Sequence, residues 1–381
     1  MKVTSFELFL VPPRWMFLRI DTDQGISGWG EPILEGHAES VRAAVEVLCD
    51  GLVGEDPTRI EDHWQVMTKG GFYRGGPVLA SAVAGIDQAL WDIKGKSLGV
   101  PVYELLGGPV RERVRMYTWL HGADPTALAA DADEKAAAGF TAVKFAPAAL
   151  LPAIPTAREV REIAASVGAV RQAVGDDVDI CIDVHGRFTT AAAKRVLPWL
   201  EEYLPMFVEE PVLPEHVRNV SQVAESTSIP LALGERLYSR WDFDEVLRSG
   251  VRVAQPDLSH AGGISEVRRI AAMAETHDVV LAPHCPLGPI ALAACVQVDV
   301  ATPNFLIQEQ SLGIGYHAEV DWKRYVSNSE VFELSGGSLR RPVGPGLGLV
   351  IDEDAVREAA FDGHGWRNPL QRHADGSHAE W

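Results

Sequence analysis

Cysteine is scarce in this chain. Four residues in 381, Cys49, Cys181, Cys285 and Cys295, form no C-x-x-C pair. They are too few and too scattered for a disulfide framework, so a reducing, cytoplasmic setting is expected. Positive charge is short as well: 34 Lys and Arg stand against 53 Asp and Glu, a formal net charge of −19 spread along the chain rather than collected in a tail. Such a surface repels phosphate backbones and anionic bilayers, so neither nucleic acid nor membrane is an expected partner. The most apolar window, 279–298, is broken by Pro283, His284, Pro286 and Pro289 and reads as a buried strand, a turn and a core helix rather than a membrane span. Near the start, the apolar run 8–11 is short and meets Pro12-Pro13, so no signal-peptide core is expected. Low-complexity stretches and linkers rich in Gly or Ser are missing too.

What remains is ordinary globular material, 46% hydrophobic and 23% charged, with room for more than one domain. Residues 1–112 begin with strand-like stretches at 3–10 and 15–21. Amphipathic helices follow at 37–52 and 78–98, where Leu79, Val83, Ile86, Leu90 and Ile93 recur at helical spacing. Strands followed by helices predict an α+β domain. From 113 to 320 the rhythm changes. Short β-branched or aromatic runs at 114–120, 142–146, 178–184, 206–210, 230–234, 251–255, 279–282 and 305–307 alternate with helical stretches such as 127–138, 160–174, 191–203 and 264–277. Eight strands alternating with helices require parallel pairing through right-handed crossovers, the α/β pattern of a TIM barrel. Residues 321–381 return to strands and turns, with Gly336-Gly337 and Gly344-Pro345-Gly346. That segment is too small for a core of its own and is expected to pack back on the first domain.

Chemistry is concentrated at the expected strand ends. Asp183, Glu209 and Glu235 follow one another at steps of 26 residues, and Asp257, His284 and Glu309 continue at steps of 22, 27 and 25. One βα unit takes about that length, so each step moves one strand around the barrel while staying on its C-terminal face, where barrel enzymes place their catalytic groups. Three adjacent carboxylates in a partly buried mouth repel one another unless a cation holds them. Oxygen ligation by acidic groups suits a hard ion, Mg²⁺ above all. A solvent-facing or helix-capping role explains any one of these acids, but not an even series of three. His185 lies two positions after Asp183 and shares its side of the strand. A histidine carries protons near neutral pH, and Asp257 is placed to bond the far nitrogen of His284. Lys144 ends the second strand. It is either a Schiff-base nucleophile or a cation balancing the acids, and the nearby carboxylates favour the second. His37, His63, His216, His277, His317 and the tail histidines have no partner at a useful spacing and are assigned to surface or core.

The motifs Glu209-Glu210-Pro211, Gly234-Glu235-Arg236, Gln255-Pro256-Asp257 and Ala282-Pro283-His284 resemble the enolase superfamily, mandelate racemase subgroup. Stretches 12–17, 71–77, 86–95, 257–263, 281–295, 308–312 and 379–381 extend the likeness over essentially the whole chain, toward the sugar-acid dehydratases of that family. The resemblance implies a modified TIM barrel, (β/α)7β, under an α+β cap built from both termini. It implies Asp183, Glu209 and Glu235 as Mg²⁺ ligands, His284 as base polarised by Asp257, His185 as acid, and Glu309 as donor or charge partner at a developing enediolate. Arg14, Trp15 and Tyr73 on cap loops, together with Lys144, are implied as substrate contacts, and a homo-oligomer is implied as the assembly. The implied reaction is dehydration of a small sugar acid, D-galactonate first among the aldonates, by loss of the α-proton and the β-hydroxyl. One position departs: the family pattern carries a second polar residue after Lys144, where this chain has Ala146, and the stretch 147–155 is foreign to it. Without a lysine at 146 a two-base racemase lacks one base, which favours dehydration. A Schiff-base aldolase using Lys144 and a non-catalytic metal-binding sensor are the competing readings. The full set of acids and bases argues against the sensor.

Overall fold

The chain opens as an antiparallel sheet of three strands, β1 (Val3–Val11), β2 (Trp15–Thr22) and β3 (Ser27–Gly30), in that spatial order. The computed structural model describes residues 1–148 and 150–380. Ala149, within the foreign stretch 147–155, and Trp381, at the end of the resembling stretch 379–381, lie outside the described residues. Helix Pro77–Leu98 covers the sheet, and helices Ala38–Asp50 and Ile60–Lys69 pack on that helix. The long third helix is buried on nearly every face from Ser81 to Ile93, because it lies between the sheet and the helix Gly263–Thr276 of the next domain. Leu79 is the exception to the expected apolar stripe and is exposed. Close approach sets this packing: a Cβ on Gly30 would lie 1.9 Å from the Gly85 carbonyl oxygen.

Eight parallel strands follow: β4 (Arg113–Trp119), β5 (Ala142–Phe145), β6 (Asp179–Asp183), β7 (Phe207–Glu209), β8 (Leu231–Leu233), β9 (Val253–Ala254), β10 (Val280–Leu281) and β11 (Gln308–Glu309). Each pairs with its sequence neighbour from β4 to β10, and β11 returns to pair with β4. A parallel bridge between Leu281 and Phe305 brings the chain before β11 against β10, which closes the ring. An α-helix lies between each consecutive pair, seven in all among the described residues, and only 3-10 turns follow β11 before β12 (Ser338–Arg340). This is the (β/α)7β arrangement.

Two further details differ from the sequence reading. The eighth strand, expected at 305–307, meets β10 at Phe305 and β4 at 308–309; in a tilted barrel the two edges of one strand engage their neighbours at different heights. The helix expected over 191–203 stops at Val196 and continues as 3-10 turns, since Pro198 offers no amide hydrogen to an α-helical ladder.

The final segment joins both domains. Its strand β12 pairs antiparallel with β4, and its helix Glu353–Asp362 packs on β1, where Arg357 reaches Glu7 at 2.6 Å. Asp92, buried on the long cap helix, accepts the Trp29 amide at 3.0 Å and the Leu347 amide at 2.8 Å, so it ties sheet and tail to one carboxylate. No helix among the described residues is long and apolar enough to cross a membrane.

Inside the barrel, period two turns composition into layers. Tyr117, Ala142, Cys181, Phe207, Ala232, Val253, Ala282 and Ile307 form one buried cluster. Two residues further along the same strands come Trp119, Lys144, Asp183, Glu209, Gly234, Gln255, His284 and Glu309. An apolar floor thus carries a polar layer at the C-terminal mouth.

Because backbone occupies the space beside Gly30, Gly30→Ala should destabilise the protein by about 1–3 kcal/mol, as overpacking does. Gly51→Ala, whose Cβ would come no nearer than 3.4 Å to any neighbour, should be close to neutral. Thermal melts of the two variants check this.

Candidate metal centre and active site

Asp183, Glu209 and Glu235 each present a carboxylate oxygen, all within 4.8 Å of one another. Asp183 and Glu209 end adjacent strands and are in register, and Glu235 follows β8 after one glycine. Lys144 lies beneath them, fully buried. Its Nζ is 2.8 Å from Glu209 Oε1, 3.0 Å from Glu309 Oε1 and 3.4 Å from Asp183 Oδ2. Gln255 donates to the second Glu209 oxygen at 2.9 Å.

Across the mouth, His284 Nδ1 donates to Asp257 Oδ2 at 2.8 Å. Asp257 Oδ1 is held by the Ser259 amide at 2.6 Å and the His260 amide at 3.1 Å. This fixes the histidine tautomer and leaves Nε2 toward the site, 3.5 Å from Glu235 Oε2. His185 stands four strands away in an eight-strand ring, which is the opposite side. It stacks on Trp119, ring centroids 5.7 Å apart, with Nε2 3.4 Å from Asp183 Oδ2. Glu309 accepts the Trp119 indole at 2.7 Å and the Cys285 amide at 2.9 Å.

A cavity of about 560 Å³ opens over this layer, a size typical of small-molecule sites. Asp183, His185, Glu235, His284, Glu309 and Arg14 line it. Three residues expected to touch substrate do not line it. Trp15 is fully buried in the cap core, edge-on to His317 and Tyr325, because the inward face of β2 claims it. Lys144 lies below the cavity floor, enclosed by acids. Tyr73 is 89% exposed on the loop before the long cap helix.

Other lining groups carry no mark in the sequence: Glu35, His260, Trp366 and also His317, which spacing alone assigns to surface or core. His317 accepts from Arg14 Nε at 3.3 Å and donates through Nδ1 to the Ser311 carbonyl at 3.0 Å. Arg14 is sandwiched between the rings of Tyr316 and Trp366, each centroid 4.8 Å away. These residues come from distant parts of the chain, and no local spacing marks them.

Electrostatics favour a divalent cation here. Asp183 Oδ2 is buried yet accepts no hydrogen bond among the described residues. Burial pushes Glu209 well above the usual carboxylate range, with Asp183 adding to the push and Lys144 opposing it. Burial also lifts Glu235 to about 7 against the pull of His284. Burial opposes ionisation of Asp183, but His185 and Lys144 outweigh it and hold that carboxyl below its usual value. Burial disfavours the His284 cation as well, yet Glu309, Glu235 and Asp257 together hold it well above its usual value. Three oxygen donors, one buried with ion-pair neighbours but no hydrogen bond among the described residues and two driven toward protonation, fit a hard divalent ion. Such an ion would also neutralise part of the charge that keeps His284 protonated.

Lys144 cannot serve as a Schiff-base nucleophile in this setting. Burial lowers its pKa, but Glu209 and Glu309 raise it well above the ordinary value, and a protonated amine does not attack a carbonyl.

Two family models match the chain: "Mandelate racemase / muconate lactonizing enzyme, N-terminal domain" over residues 12–107 and "Enolase C-terminal domain-like" over 127–355. D-galactonate dehydratases of Ralstonia pickettii and Xanthomonas campestris are each 52% identical over the full length of both chains. Among solved structures, a mandelate racemase/muconate lactonizing enzyme from Sulfitobacter superposes with a TM-score of 0.90 at 32% identity, covering 100% of each chain.

Removing the buried cation alone should leave its acids uncompensated. Lys144→Met, similar in volume, is expected to destabilise the metal-free protein by about 3–5 kcal/mol, the range for breaking a buried ion pair. Chemical denaturation followed by circular dichroism reads the difference.

Proposed function

The chain belongs to the mandelate racemase/muconate lactonizing enzyme family of the enolase superfamily, and from that premise we propose that it is a hydro-lyase converting D-galactonate to 2-dehydro-3-deoxy-D-galactonate. The end-to-end identity of 52% with D-galactonate dehydratases carries the choice of substrate. Two histidines on opposite sides of one carboxylate-lined mouth support the reaction type.

The proton α to a carboxylate is very weakly acidic, because its removal puts a second negative charge on the same group. A divalent ion, read here as Mg²⁺ and held by Asp183, Glu209 and Glu235, would supply the positive charge that makes this bearable. His284 takes the α-proton through Nε2, a role prepared by the Nδ1 bond to Asp257 and worth about 10²–10⁴-fold. The electron pair left behind expels the β-hydroxyl, which leaves as water with a proton from His185. Burial pushes His185 down to about 4 in the free protein, and the negative charge of a bound substrate would raise it again, favouring the imidazolium that gives this proton. The resulting enol takes a proton at C3 and becomes the 2-keto acid.

Glu309 remains ionised: burial opposes this, but Lys144 and His284 hold its pKa below the usual value. Its part is charge partner to Lys144 and anchor for Trp119 and the Cys285 amide, rather than proton donor. Arg14, fixed between two rings, lines the cavity from the cap and is the group we assign to the hydroxyls of the sugar acid. A neighbouring aldonate is the second reading. It is favoured by Ala146, which lines the cavity at a position where the resembling pattern is polar.

Mg²⁺ should raise the melting temperature of the metal-free protein, and Glu209→Gln should abolish that response. Turnover is expected with D-galactonate, detected as a 2-keto product by semicarbazide. In D₂O, His284→Asn should lose both dehydration and exchange of the α-proton. His185→Asn should lose most dehydration yet retain exchange, since the base remains. Exchange that survives in the His284 variant and vanishes in the His185 variant would reverse the two roles.

A further inference from the structure

The base pair His284–Asp257 stands on two loops, 256–262 after β9 and 282–288 after β10, and both loops are gripped by the cap. Glu31, directly after β3, is fully buried. Its Oε1 accepts the Gly288 amide at 2.7 Å and its Oε2 the Ala291 amide at 2.9 Å. A Cβ on Gly288 would lie 2.6 Å from Glu31 Oε1, so the carboxylate fills the space a side chain would take. Gln88, on the long cap helix, is equally buried. It accepts the Glu31 amide at 2.8 Å and donates to the Leu258 carbonyl at 3.0 Å and to Ser259 Oγ at 3.1 Å. Ser259 in turn holds Asp257.

The bonds therefore close a ring. It runs from His284 to Asp257, through Ser259 to Gln88 and Glu31, and back through Gly288 along four residues of chain to His284. Of the side chains whose hydrogen bonds make this ring, His284 lines the cavity, while Asp257, Ser259, Gln88 and Glu31 lie behind it. Burying a carboxylate is costly: desolvation lifts Glu31 to about 8, and the two amide bonds oppose that rise. A group held at such expense against the loop that carries the base has a more specific role than filling space.

We propose that Glu31 and Gln88 are positioning residues of the cap that fix the aim of His284 Nε2, so that the cap, besides covering the site, sets the rate of α-proton removal. The inference rests on His284 being the base. Losing the clamp should let the two loops shift relative to each other, and a misplacement on the order of 1 Å can cost about 100-fold in rate.

The test uses the full chain with Mg²⁺, D-galactonate and its C2-deuterated form. Glu31→Ala removes both acceptors. Glu31→Gln keeps the volume and one acceptor, and carries the test should the alanine variant not fold. Expected for Glu31→Ala is a fall in kcat of about ten- to a hundredfold with KM within about threefold of the parent, and a smaller fall for Glu31→Gln. The primary isotope effect on kcat should rise as proton removal becomes limiting, and the thermal response to Mg²⁺ alone should match the parent. Folded variants that keep the parent's kcat and isotope effect, whatever their melting temperature, overturn the inference. So does a fall in kcat that comes with loss of the Mg²⁺ response, because the whole site has then collapsed. A parent enzyme that neither exchanges nor dehydrates this substrate overturns the reaction assignment itself, and the inference with it.

Discussion

Crowded negative charge at the mouth of the barrel is the constraint on which the rest of the molecule depends. At an effective dielectric of ~20, two like charges no more than 4.8 Å apart repel by at least roughly 3–4 kcal/mol. Three such pairs amount to roughly 10 kcal/mol, comparable with the whole stability of a domain. Lys144 answers part of this from below, within ion-pair reach of Asp183, Glu209 and Glu309. One positive charge cannot neutralise the set. The remainder falls to protons or to a divalent ion, and that choice separates a resting cluster of acids from a working centre.

The barrel makes such crowding possible by supplying strands whose side chains alternate without exception. Cys181 and Phe207 belong to an apolar floor while Asp183 and Glu209, two residues on, belong to the polar layer. A one-residue slip in either strand would reverse the two layers. The cap contributes from two directions. Arg14 and Glu35 reach the cavity from the first segment and Trp366 from the last, and Asp92 joins the first sheet to the returning tail. The barrel thus lines the cavity with acids and histidines from below, and the cap closes it from above with residues of both terminal segments.

The ladder of acids was legible in the sequence because one βα unit sets its period. An even step from Asp183 to Glu235 needs no long-range information beyond parallel pairing. Lys144 was legible as a partner of those acids but not as a group sealed beneath them, since depth along a strand depends on barrel stagger. Trp15 was misplaced for a related reason. Arg14 ends the turn before β2 and reaches the cavity, whereas Trp15 opens the strand and is buried in the cap core. His317, His260 and Glu35 gave no signal, because their partners lie far away in sequence. His260 meets Glu35 at 3.3 Å across more than 200 residues of chain, and only the closed fold brings them together.

The most direct measurement is calorimetric: Mg²⁺ is titrated into metal-free protein at pH 7 in two buffers of different ionisation enthalpy, and the protons released per ion bound are counted. If the acids of the mouth cannot all stay charged without a cation, then Glu209, lifted well above its usual range, and Glu235, lifted to about 7, hold protons in the free protein. Binding should then expel about one proton or more per ion, and the release should shrink as the pH is raised. Tight binding with no proton release at pH 7 would mean the three carboxylates are already ionised together, and would contradict this account of the site.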